Sequence, residues 1–146
     1  APRCNAHVDD YSSFNPAGAT ACNFIAPTLV HDMHDPSLAL PPATTNIHNG
    51  DTWIGPEVAK IMASPSYAQG GLLVVVWDED DDSGIPVADA QIPIFVMSPY
   101  AKSGGYKSAV KADHYSLLAT IEDGLGLPRL GHAASATPLS DYFPAD

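Results

Sequence analysis

Residues 72–77, Leu-Leu-Val-Val-Val-Trp, form a continuous apolar run rich in β-branched side chains, opened by Gly70-Gly71 and closed by the acidic stretch Asp78-Glu79-Asp80-Asp81-Asp82. A run of this length that does not alternate predicts a strand buried on both faces, as in a parallel sheet covered by helices. In open α/β sheets ligands bind beyond the carboxyl ends of the strands, and here that end turns abruptly acidic. Asp78 and Glu79 are adjacent carboxylates on a rigid support. They repel each other unless a cation or a proton lies between them, and a divalent metal is the simplest resolution.

The rest of the chain narrows what such a site can belong to. With 146 residues, 45% of them hydrophobic, the sequence is long enough for one domain with a core, so residues 1–146 are expected to form a single domain. A formal charge of −11 with only six Lys and Arg argues against a nucleic-acid surface, because neutralising phosphates requires clustered cations. No apolar run approaches the roughly twenty residues of a membrane-spanning helix. The chain starts at Ala1 with no signal peptide, as a mature form or a fragment would. Cys4 and Cys22 lie close together in a segment, 1–23, that is rich in turn formers and predicted to be irregular. A disulfide between them would close a loop worth on the order of 3 kcal/mol and would point to a secreted or extracytoplasmic protein; two reduced thiols remain the alternative.

Beyond that segment, Phe24-Ile25-Ala26 reads as a short strand leading to His31-Asp32-Met33-His34-Asp35. Two histidines and two carboxylates within five residues are a dense supply of metal ligands, phosphate donors and acid/base groups, although solvated loop residues would look the same. Residues 36–49 read as a connection, Asp51 as a helix cap, and residues 52–64 as a helix with Pro56 in its first turn and Ile54, Val58, Ile61 and Met62 on its core face. The Asp78-x-Asp80-x-Asp82 spacing is that of a calcium loop, but Ser83 stands where the sharp-turn glycine belongs and no amphipathic helix leads in. Residues 92–97 form a second buried run. Asp113-His114 then opens an amphipathic helix over 114–125, with Leu117, Leu118, Ile121 and Leu125 on one face. His114 at that helix start either caps and packs or presents its ring to an anion.

Taken in order, Phe24-Ile25-Ala26-Pro27, Asp32-Met33-His34-Asp35, Gly50-Asp51-Thr52-Trp53, Trp77-Asp78-Glu79, Ile92-Pro93-Ile94 with Ser98-Pro99, Asp113-His114-Tyr115-Ser116-Leu117-Leu118 with Ile121-Glu122, and Gly126-Leu127 form a series. It resembles the carboxyl-terminal half of the bacterial phosphoesterase family that includes acid phosphatases, phosphatidylinositol-3-phosphatase-like enzymes and phospholipases C. The resemblance implies an α/β fold, part of an alkaline-phosphatase-like α/β/α sandwich with a mainly parallel central sheet, and metal-dependent hydrolysis of a phosphate-ester substrate. It places Asp78 and Glu79 as ligands of a divalent metal ion (calcium, magnesium, manganese or zinc), His34 and Asp35 at the substrate phosphate, and His114 beside it as a phosphate or leaving-group contact.

The sequence departs from the family pattern in one respect. The amino-terminal half, with its Glu-Asn metal motif and its Ser or Thr nucleophile, has no counterpart here, and no Glu-Asn pair occurs. The expectation is therefore a chain that supplies part of a metal and phosphate site and acts with the missing half or another copy of the chain. A non-catalytic secreted binding or self-assembling module that keeps the fold is the competing reading.

Overall fold

A computed structural model of the chain describes residues 6–18, 20–34, 44–80 and 91–145. The chain divides into two compact units, Ala1–Gly71 and Leu72–Asp146.

The first unit is organised on helix α1, Thr44–Met62. It starts well upstream of the expected Thr52, so Asp51 is an interior residue rather than a cap, and Pro56 lies inside the helix instead of in its first turn. Polar and glycine-rich sequence such as Asn46-Ile47-His48-Asn49-Gly50 prefers caps and turns by local propensity. Here tertiary packing overrides it. Asn46 and Gly50 are buried, and a Cβ added at Gly50 would lie 2.3 Å from Met33 Cε and 2.4 Å from Met33 Cγ. The missing side chain is what allows the 28–33 turn to lie against the helix. Trp53 stacks on His31 at 5.7 Å and 14°, and Tyr11 meets Trp53 at 5.7 Å and Phe14 at 5.6 Å. The Tyr11 hydroxyl donates to the Glu57 carboxylate, and Lys60 pairs with Glu57 at 3.3 Å while lying over the Tyr11 ring. Burial first and Glu57 second push the Tyr11 hydroxyl above its usual pKa. A short helix α2, Pro65–Ala68, follows, its Ser64 cap accepting from the Tyr67 amide at 3.2 Å.

The described residues of the amino-terminal segment hold single 3-10 turns at Tyr11–Ser13 and Pro16–Gly18. The strand expected at Phe24 is not formed, and the Phe24 side chain is 94% exposed. Cys22 is an exposed free thiol, and Cys4 lies outside the described residues.

In the second unit both apolar runs are strands, β1 Leu73–Val76 and β2 Ile94–Met97, and they are neighbours as expected. They pair antiparallel, with Leu73 opposite Met97 and Val76 opposite Ile94. The expected mainly parallel central sheet is thus not shown: among the described residues the sheet has two strands, antiparallel and each paired on one side only. The reason is physical: strand direction is set by the hydrogen-bond pairing with the partner strand, which the composition of an apolar run does not encode. Nor are the strands buried on both faces, since β1 is half-buried throughout and Phe95 of β2 is 55% exposed.

Helix α3, His114–Gly124, lies where the sequence puts it. The Asp113 carboxylate accepts from the Ser116 amide at 2.9 Å, and Ser116 Oγ reciprocates with the Asp113 amide at 3.2 Å, closing a capping box. Its buried face is not the leucine stripe. Ser116, Ala119 and Glu122 are buried, whereas Leu118 and Leu125 stay more than a third exposed. The tail causes this inversion: the Leu139 amide donates to Thr120 Oγ1 at 2.7 Å, and the Leu130 amide to Glu122 Oε1 at 3.2 Å. Arg129 clamps the Asp123 carboxylate through Nε at 2.8 Å and Nη2 at 2.5 Å and also donates to the Ala136 carbonyl. Asp141 ties the 102–108 loop to the tail by accepting from Tyr106 at 2.7 Å and Ser108 at 2.6 Å. The buried apolar core of the described residues is thin, consisting of Ala119, Ala133 and Leu139.

Candidate functional site

In the second unit, β1 delivers its acidic end next to the start of α3. Past Val76 the ladder is extended by a long contact from the Trp77 amide to the Pro93 carbonyl, 3.4 Å. Asp78 and Glu79 then emerge at the surface, both exposed. His114 is the first residue of α3, oriented by the Asp113 cap, and its Nε2 lies 2.8 Å from the Asp78 carbonyl oxygen. A carbonyl only accepts, so Nε2 carries the hydrogen, and in the neutral ring Nδ1 keeps the lone pair. His114 is thereby fixed against the backbone of the acidic pair, 36 residues away in sequence. The contact runs to the main chain, which leaves the Asp78 carboxylate outside this hydrogen bond.

The donor set at this strand end is two carboxylates on consecutive residues. Hard divalent cations take six or more oxygen ligands, so Asp78 and Glu79 suit such an ion in chemistry but supply part of its shell. Among the described residues no group of three carboxylate, imidazole or thiolate side chains could hold a metal ion by itself. Asp82, which completes the calcium-like spacing, lies outside the described residues.

His34 belongs to the first unit, on the turn that packs against α1. The His31 and Asp32 amides both donate to the Thr28 carbonyl, at 2.7 and 3.0 Å. Met33 then adopts φ 67°, a left-handed conformation that a long side chain rarely takes. Asp32 Oδ1 accepts from the His34 amide at 3.0 Å, which fixes the backbone where the exposed His34 ring leaves the turn. Such strain gathers at functional positions. His31 is a packing residue: its ring stacks on Trp53 and its Nδ1 lies 3.1 Å from Thr28 Oγ1. Asp35 lies outside the described residues.

Sequence reasoning gave no sign of two shallow surface hollows near the start of α3. The amino end of α3 and the 131–137 turn flank these open depressions, of about 220 and 400 Å³, which share Asp113 and Ala136. Nothing in the local sequence marks them, because they exist only once the tail has folded back across the helix.

An acidic pair at a strand end, bonded through its main chain to a histidine at a helix start, belongs to the stretch that carries the family signature. The Phosphoesterase family model matches residues 21–128, and the chain belongs to that family. A phosphatidylinositol-3-phosphatase of Mycobacterium tuberculosis is 33% identical over 129 residues, covering 88% of this chain and 38% of that protein. A probable acid phosphatase of Kluyveromyces lactis is 28% identical over 108 residues, covering 74% of this chain and 23% of its own length. The chain thus spans well under half the length of these relatives. No solved structure gives a significant match.

Proposed function

We propose that this chain contributes to the hydrolysis of phosphate esters, a phosphatase activity like those for which its relatives are named, and that it supplies part of a divalent-metal and phosphate site rather than all of it. The observation that carries the reading is His114 held against Asp78 within the stretch matched by the family model. Asp78 and Glu79 would hold the metal, which when bound polarises phosphoryl oxygens and offsets their charge. His114, with its hydrogen fixed on Nε2, presents Nδ1 as the atom able to accept or return a proton. The same reading gives His34 and Asp35 the role of phosphate contacts, since imidazole and carboxyl groups hydrogen-bond to phosphoryl oxygens or move protons to the leaving group.

The structure also supports the need for further polypeptide. The leucine stripe of α3 is half-exposed, β1 and β2 have open edges among the described residues, and Phe24 lies uncovered on an extended segment. Uncovered apolar surface of this kind marks an association surface. We assign it to the rest of the phosphoesterase domain, which would complete a larger α/β/α sandwich and add the remaining metal ligands and the nucleophile.

The test is phosphate release from 4-nitrophenyl phosphate by this chain alone and by the chain joined to the amino-terminal part of a family member, with and without a chelator. Chelator-sensitive turnover only in the joined protein, lost in Asp78→Ala, is the expected result. A divalent cation should also raise the melting temperature of the joined protein through linkage, and Asp78→Ala should remove that rise. Full turnover by the chain alone, or Asp78→Ala without effect on either measurement, refutes the proposal.

A further inference from the structure

We propose that Met33 is a site of methionine oxidation and that its sulfoxide lifts the 28–34 turn from helix α1. The position of the sulfur carries the inference. A Cβ at Gly50 would meet both Met33 Cγ and Met33 Cε, the two carbons bonded to Sδ, so the thioether lies across the bare backbone of this buried glycine. The turn aims it there. Met33 has φ 67°, and among the described residues no other non-glycine residue has a positive φ. Before it, the His31 and Asp32 amides both donate to the Thr28 carbonyl; after it, the His34 amide donates to Asp32 Oδ1. With the backbone tied on both sides, the direction in which the Met33 side chain leaves belongs to the whole turn. A bulky residue is held in this left-handed conformation only where its surroundings over-determine it.

Oxidation changes what that contact requires. A hydroperoxide gives one oxygen atom to Sδ: the S–O bond forms as the O–O bond breaks, sulfur is oxidised, and the peroxide is reduced to water or an alcohol. Met33 is half-buried rather than enclosed, so a reagent as small as hydrogen peroxide reaches it. The product is a polar, chiral group in place of a flexible apolar one. Its oxygen needs a hydrogen-bond donor, and Gly50, inside α1, has its amide committed to the helix ladder. Unpaired against the helix backbone the oxygen is unfavourable, so the sulfoxide turns to water and the turn moves with it. His31 then leaves the Trp53 ring on which it stacks at 5.7 Å, and His34, the next residue after Met33, is displaced. Enzymatic reduction of the sulfoxide restores the thioether, which makes the change reversible. Met62, 40% exposed at the end of α1, is the comparison, open to the same reagent and outside this turn.

The isotope-labelled chain is treated with hydrogen peroxide, and peptide masses give the fraction of each methionine converted. Two-dimensional NMR follows the amides of 28–34 and the Trp53 indole N–H, identified as the indole signal that survives Trp77→Phe. Conversion of Met33 should produce a second set of these peaks in proportion to the fraction oxidised, and methionine sulfoxide reductase should return the first set. Met33→Leu, a substitution of similar volume, keeps Met62, Met97 and the cysteines and should show no second set at these positions after peroxide. Unmoved peaks when Met33 is converted, the same second set in Met33→Leu, or Met33 left intact while Met62 is fully converted each overturn the proposal. The consequence for catalysis rests on the phosphoesterase reading, through the role given there to His34, and is read separately: in the joined protein, turnover of 4-nitrophenyl phosphate should fall in step with Met33 conversion. A second set of peaks with turnover unchanged leaves the oxidation site standing and removes His34 from the reaction.

Discussion

Replacing Gly50 with alanine tests how the fold holds the turn that carries His34. In an isolated helix Gly→Ala stabilises by about 1 kcal/mol. At this position the new Cβ would sit 2.3 Å from Met33 Cε and 3.0 Å from the His31 carbonyl. The first contact requires Met33 to move, and forcing a methyl into an occupied space costs about 1–3 kcal/mol. The two effects oppose each other, so Gly50→Ala should destabilise by about 1 kcal/mol in the natural background. With Met33→Ala already present, most of the clash is gone and the helix term dominates, so the same substitution should become stabilising by up to about 1 kcal/mol. The Met33 φ of 67° is unchanged in both arms, and its strain cancels from the comparison. Urea unfolding of the four proteins, followed by far-ultraviolet circular dichroism, gives the coupling directly. A Gly50→Ala effect of the same sign and size in both backgrounds would refute the account of why a glycine stands in this helix.

Thr120→Val should destabilise by about 1–3 kcal/mol in the same assay, because the Leu139 amide loses the Thr120 Oγ1 acceptor at 2.7 Å; an unchanged urea midpoint would show that the tail does not depend on this bond. The hydroxyls of Ser108 and then Tyr106 hold the Asp141 carboxyl below its usual pKa. The stability it confers is therefore fully present above about pH 4, the unfolded value, and is lost as the pH falls through the lower folded one. Ring-proton shifts of Tyr106 should report loosening of the 102–108 loop in that acid window, and Asp141→Asn should abolish the transition; its persistence in the variant would assign it to another group.

Helix α3 was legible because its information is local: Leu117, Leu118, Ile121 and Leu125 repeat at helical spacing directly after Asp113-His114. The positions of β1 and β2 were legible for a similar reason, since each lies inside its apolar run. Their direction was not, because pairing depends on the partner rather than on composition. The start of α1 was hidden in sequence that favours turns, and the close approach of Met33 to Gly50 within it could not be read from the sequence. The buried face of α3 was misread because the strongest stripe, Leu117 to Leu125, is not the face that the tail covers. At the site, the structure brings the His114 ring to the main chain of Asp78. The link through a backbone carbonyl could not be read from side-chain chemistry.

That link bears on how folding and activity are coupled. A buried leucine contributes roughly 1.5–3 kcal/mol relative to an exposed one, whereas fixing each residue's backbone costs about 1–2 kcal/mol. With Ala119, Ala133 and Leu139 as its buried apolar residues and Leu118, Leu125 and Phe95 left substantially exposed, the described chain has much apolar burial still to gain. The leucine stripe lies on the same helix whose first residue, His114, is bonded to the Asp78 carbonyl. Polypeptide that covers the stripe would therefore stabilise the helix that fixes His114, and by the proposal above the same polypeptide brings the remaining metal ligands. Completing the core and completing the site would then be one event, and a variant that weakens the leucine stripe, such as Leu118→Ala, should lower metal affinity without touching a ligand.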